Sequence, residues 1–98
     1  RPRNIWRHPV DPDLTVPVLL DLFKKQNYKC AKTGVKLTHL KGQRKVNTNI
    51  SIDRIDNKKN YEKGNVQFVS NIYNMMKQSY SDEEVDKICL LRVGVIKK

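Results

Sequence analysis

The feature that most constrains the fold is a change of hydrophobic period within residues 50–77. Ile50, Ile52 and Ile55 interleave with Ser51, Asp53 and Arg54, with one break in phase near Arg54. That alternation predicts a short strand with an irregular end. Residues 57–60 and 63–65 are polar, glycine-containing turn material,. Val66, Phe68 and Val69 suit a second short strand. The period then lengthens: Val69, Ile72, Tyr73 and Met76 fall at i, i+3, i+4 and i+7, one face of a helix,. The stretch reads strand, loop, strand, helix.

Two polar residues inside it can carry chemistry. Asp53 sits on the first strand. Asn74 lies about 140° around the helix from Val69, on a polar flank shared with Asn71,. A carboxylate and an amide oxygen brought together make a hard-oxygen site suited to Mg²⁺ or Mn²⁺. The plainer alternative is a strand-end turn residue and a solvated helix residue.

The flanks read as scaffold. Thr15 predicts an N-cap, with Pro17 in the first turn. Val16, Leu19, Leu20 and Phe23 form an apolar stripe, and Lys24-Lys-Gln26 close the helix before Asn27,. Residues 28–37 read as two extended pieces around a Thr33-Gly34 turn, and 38–49 as a basic loop,. Gln78-Ser-Tyr-Ser81 breaks the central helix. Ser81 and Glu84 form a capping box, and Val85, Ile88, Cys89 and Leu91 give the final helix its apolar side,. The fold class expected is α+β.

The charge points to a polyanion. Twenty Lys and Arg against ten Asp and Glu leave a net +10 in 98 residues. Residues 1–49 hold 11 basic and 3 acidic groups, a net +8, and residues 50–98 hold 9 and 7, a net +2. Phosphate contacts are therefore expected mainly from the first half: Arg1, Arg3 and Arg7 in an arm where Trp6 can stack, and Lys41, Arg44 and Lys45 in the basic loop,. Lys58 and Lys59 add to them. No Cys-x-x-Cys pair exists, which excludes a four-cysteine zinc site within the chain,. Cys30 and Cys89 read as buried free thiols, as in a cytoplasmic protein. No run approaches a membrane span.

The central motifs resemble a known family. Ser51-Ile-Asp-Arg-Ile-Asp56, Tyr61, Gly64-Asn-Val-Gln-Phe-Val69 and Asn74-Met-Met-Lys77 are similar to the core of HNH (His-Asn-His) endonucleases of the ββα-metal (His-Me finger) fold, small phage and bacterial members above all. Residues 26–34 resemble the family's lead-in. The resemblance covers roughly residues 15–85. It implies a ββα-metal core with flanking helices in residues 15–98, behind a basic arm over 1–14. It implies an intracellular, metal-dependent endonuclease acting on double-stranded DNA with one divalent ion, Mg²⁺ or Mn²⁺. Asp53 and Asn74 match the metal ligands, and Asn65, nine residues before Asn74, matches the loop-holding Asn. Arg54 stands where the family carries its base histidine. An arginine there is expected to grip the scissile phosphate. Asp56, Tyr61 and His39 are the substitute base candidates. The alternative is a nucleic-acid-binding module that keeps the fold without catalysis.

Overall fold

The computed structural model describes residues 10–40 and 46–97. Its elements are α1 (Val16–Lys25), β1 (Ile50–Arg54), β2 (Val66–Ser70), α2 (Asn71–Lys77) and α3 (Asp82–Ile96). Together they make a small mixed α+β domain with a two-stranded antiparallel sheet.

β1 and β2 pair with Ile52 opposite Phe68 and Asp53 opposite Gln67. Paired residues share a face, and neighbours along a strand point to opposite faces. Ile50, Ile52, Arg54, Val66 and Phe68 thus lie on one face, and Ser51, Asp53, Gln67 and Val69 on the other. α1 packs on the first through Phe23, whose ring centroid is 5.2 Å from that of Phe68. α2 and α3 cover the second. The core joins Cys30, Leu37, Phe68, Val69, Tyr73 and Val85, with Leu19, Leu22, Phe23, Ile50 and Ile52 packed against it.

Both sheet edges are partly covered, which limits the liability of unpaired backbone groups. The Gln26 side chain acts as a short piece of strand beside β2: its Nε2 donates to Phe68 O at 2.9 Å, and Phe68 N donates to its Oε1 at 3.0 Å. Ala31 N also donates to Phe68 O. On the β1 side, Ile50 N donates to Thr38 O at 2.8 Å.

The helix starts follow local chemistry. Thr15 caps α1 and Pro17 sits in its first turn. Ser70 caps α2 by accepting from Tyr73 N, while Asn71 N and Ile72 N donate to the carbonyls of Asn49 and Asn47. Ser81 and Glu84 close a reciprocal capping box on α3. Asn27 (φ 56°), Tyr28 (φ 60°) and Gln78 (φ 49°) adopt left-handed backbone where α1 and α2 stop.

Four expectations are corrected. In α1, Val16 and Leu20 are exposed, and Leu19, Leu22 and Phe23 face the core. In α2, Ile72 and Met76 are exposed, and the buried positions are Tyr73 and Lys77. The helix begins only at Asn71, so Val69 belongs to the strand and the stripe counted from it is turned. In α3, Ile88 and Leu91 are exposed, because only the first turn, at Asp82 and Val85, reaches the core. Cys30 is buried, but Cys89, expected to be buried too, is exposed on that same outer part of α3, and both are free. No helix among the described residues is long and apolar enough to cross a membrane.

Candidate functional site

Where β1, β2, α2 and α3 meet, the α2 side of the sheet carries charge beside the buried Val69. Strand alternation turns Asp53 and Gln67 toward α2, and one helical turn separates Tyr73 from Lys77, so both reach inward. Lys77 is fully buried and Asp53 is 4% exposed.

All three ammonium donors are engaged. Lys77 Nζ donates to Asp53 Oδ2 at 2.7 Å and to Arg54 O at 2.9 Å, and lies 3.3 Å from Asp82 Oδ1. Gln67 Nε2 donates to Asp53 Oδ2 at 2.9 Å and to Asp82 Oδ2 at 3.2 Å. Tyr73 OH donates to Asp82 Oδ1 at 2.7 Å. Two carboxylates against one ammonium leave the cluster one negative charge in excess. Burial raises the Tyr73 hydroxyl pKa well above its usual value, and its hydrogen bond to Asp82 and that carboxylate's charge add to the rise,. Burial opposes ionisation of Asp82, but the Tyr73 hydrogen bond and the Lys77 charge outweigh it and hold the carboxyl below its usual range,.

Asn74 stands one turn before Lys77 and faces the same sheet surface. Its Nδ2 donates to Ser51 Oγ at 2.7 Å. Ser51 precedes Asp53 by two residues on the same strand face. Both hydrogen bonds to Asp53 fall on Oδ2, leaving Oδ1 without a donor among the described residues. The oxygens offered from this face are thus Asp53 Oδ1, the Asn74 amide oxygen and Ser51 Oγ. No group of three or more His, Cys, Asp or Glu able to hold a metal occurs among the described residues. One carboxylate with neutral oxygens nevertheless fits Mg²⁺, which keeps several waters and takes phosphate oxygens to complete its shell.

Arg54 projects from the opposite face to Asp53. Its Nη1 donates to Asn57 O at 2.8 Å and Lys59 O at 3.0 Å, and its guanidinium lies 5.5 Å from the Tyr61 ring centroid. It clips the 55–61 loop. Asn65 holds the same loop from inside: Oδ1 accepts from Asp56 N at 2.8 Å, and Nδ2 donates to Asp56 O at 3.1 Å and Asn60 O at 2.9 Å. Asn65 is buried, so Asn65→Ala leaves the Asp56 amide and the Asn60 carbonyl unpaired, while Asp56 O keeps its bond from Lys59 N. Each such group costs ~1–3 kcal/mol, so a drop of at least ~2 kcal/mol is expected in urea unfolding. A drop under ~0.5 kcal/mol would show that water replaces the clamp.

The other named residues are dispersed. Lys58 and Lys59 are exposed at the loop tip, where Asn57 Nδ2 donates to Ser79 O and Tyr80 O. Asp56 Oδ1 accepts from Lys58 N. His39 lines a recess with Phe23, Tyr28 and Ile50, on the α1 side of the sheet away from Asp53. Arg1, Arg3, Trp6, Arg7, His8, Lys41, Arg44 and Lys45 lie outside the described residues.

Sequence reasoning missed Lys77, Gln67, Tyr73, Asp82 and Ser51 as members of the site. A signal existed for one: Lys77 follows Tyr73 by four residues, which places them on one helix face. No known protein family, curated protein or solved structure matches the chain.

Proposed function

We propose that the chain is a metal-dependent endonuclease of the HNH type, acting on double-stranded DNA, with β1, β2 and α2 as its ββα-metal core. The observation that carries this reading is the placement of Asp53 on a strand and Asn74 on the helix against it. Asn65 ties the intervening loop by three side-chain hydrogen bonds. Asp53 and Asn74 would hold one Mg²⁺ or Mn²⁺. Such an ion supplies Lewis-acid stabilisation of charge on the phosphate and the leaving oxygen. The chain's own residues orient and attract. Arg54 and Asn65 fix the loop that presents Lys58 and Lys59 to a phosphate backbone, and the net +10 raises the local concentration of polyanion,. Arg54 cannot take a proton at neutral pH. General-base catalysis is typically worth ~10²- to 10⁴-fold, so cleavage is expected to be slow.

The second reading is a non-catalytic nucleic-acid-binding module, and the Lys77–Asp53 ion pair favours it, because an ammonium already answers the carboxylate. Supercoiled plasmid incubated with Mg²⁺, Mn²⁺ or EDTA separates the two. Metal-dependent nicking abolished by EDTA is expected. Salt-sensitive DNA binding with no nicking under any metal would leave the binding module standing.

A further inference from the structure

We propose that Lys77 is a positioning residue for Asp53: its buried ammonium pins Oδ2 and presents Oδ1 to the divalent ion. This rests on the metal-site reading above. An ammonium is a compact point charge and meets one carboxylate oxygen, which leaves the second oxygen open to the neighbouring Gln67 amide. Here Lys77 Nζ at 2.7 Å and Gln67 Nε2 at 2.9 Å both go to the same oxygen. The ammonium cannot turn away, because its other donors are held by Arg54 O and Asp82. Asp82 is in turn held by Tyr73 and Gln67. Every member is therefore fixed by at least one other, and the freedom removed is rotation of the Asp53 carboxylate.

The charges fit the role. Lys77 with Asp53 alone would form a neutral pair with little pull on a cation. Asp82 supplies the second carboxylate, so the cluster keeps one net negative charge while Asp53 stays oriented. Tyr73 keeps Asp82 ionised without adding charge of its own. Partners behind a metal ligand typically contribute 10- to 100-fold in metal affinity by this kind of orientation.

The test holds charge constant. Lys77→Met combined with Asp82→Asn removes one positive and one negative charge and leaves the cluster at the same net value. Mn²⁺ affinity is measured by titration calorimetry on the full chain, with circular dichroism to confirm the fold. The double variant is expected to bind Mn²⁺ ~10- to 100-fold more weakly than wild type. Wild-type affinity in the folded double variant overturns the proposal. Should that variant not fold, Lys77→Gln with Asp82→Asn takes its place. It removes the ammonium at the same net charge but keeps a polar side chain at the buried position, so weaker Mn²⁺ binding supports the positioning role and unchanged binding rejects it. Asp53→Asn separates the two levels of inference. If it abolishes Mn²⁺ binding while the positioning variants leave it untouched, only the Lys77 role fails. If Asp53→Asn binds Mn²⁺ like wild type, the metal site itself is misassigned and the role of Lys77 falls with it.

Discussion

Lys77→Met alone is expected to destabilise the fold by ~3–5 kcal/mol, the usual result of removing one partner from a buried ion pair. Small domains have ~5–15 kcal/mol in total, so this one change removes a large share. The side chain is fully buried, so methionine fills nearly the same space and the loss is electrostatic. It leaves Asp53 and Asp82 facing each other without a counter-charge and Arg54 O without a donor. The pH dependence gives a sharper reading than the magnitude. In wild type the Asp82 carboxyl titrates below its unfolded value, held there by Tyr73 and Lys77 against burial. Its contribution is therefore present above the unfolded pKa of ~3.9 and disappears as pH falls through the folded value. Without Lys77, burial is no longer offset by the ammonium and the folded pKa of Asp82 rises, so stability falls as pH rises through the interval above ~4,. Acidification from pH 7 toward 4.5 should thus stabilise Lys77→Met in urea unfolding while doing little for wild type. A variant that loses stability on acidification would mean that the carboxylates have found other partners.

If the chain is the metal-dependent endonuclease proposed above, Asp53→Asn is expected to reduce DNA cleavage at least ~100-fold. Metal stabilisation of transition-state charge is worth several kcal/mol, and each 1.36 kcal/mol is a factor of ten in rate. The asparagine matters. Asp53→Ala would leave a fully buried ammonium with one carboxylate fewer, and lost activity could then follow from a damaged fold. Asparagine keeps an acceptor oxygen near Lys77 Nζ and preserves side-chain volume, so melting and cleavage can be read separately. Nicking at the wild-type rate by a folded Asp53→Asn would remove Asp53 from the proposed metal site and leave the ion pair as its whole purpose.

Much of the architecture is legible locally. The alternation at Ile50–Arg54, the Thr15 cap, the Ser81/Glu84 box and the stop at Gln78 each depend on neighbours a few residues apart, and each element lies where those signals put it. The site is less legible because its contacts are distant in sequence. Lys77 meets a carboxylate 24 residues away and Asn74 a hydroxyl 23 residues away. A hydrophobic stripe counts lysine as a solvent residue, so it places Ile72 and Met76 beside Tyr73 on the inner face of α2 and leaves Lys77 out. Proximity in sequence sets Arg54 beside Asp53, but the strand's two-residue period sends the pair to opposite faces. The apolar run of α3 predicts a core face, yet nothing in helical spacing says how far along a helix the core extends.

The burial of Lys77 also makes it a reporter of motion. Every other described lysine is exposed. An acylating reagent therefore modifies those amines at once and reaches Lys77 only when α2 lifts from the sheet. The slow arrival of that one label, followed by mass spectrometry of the peptide spanning the helix, would time the local opening of the fold without any denaturant.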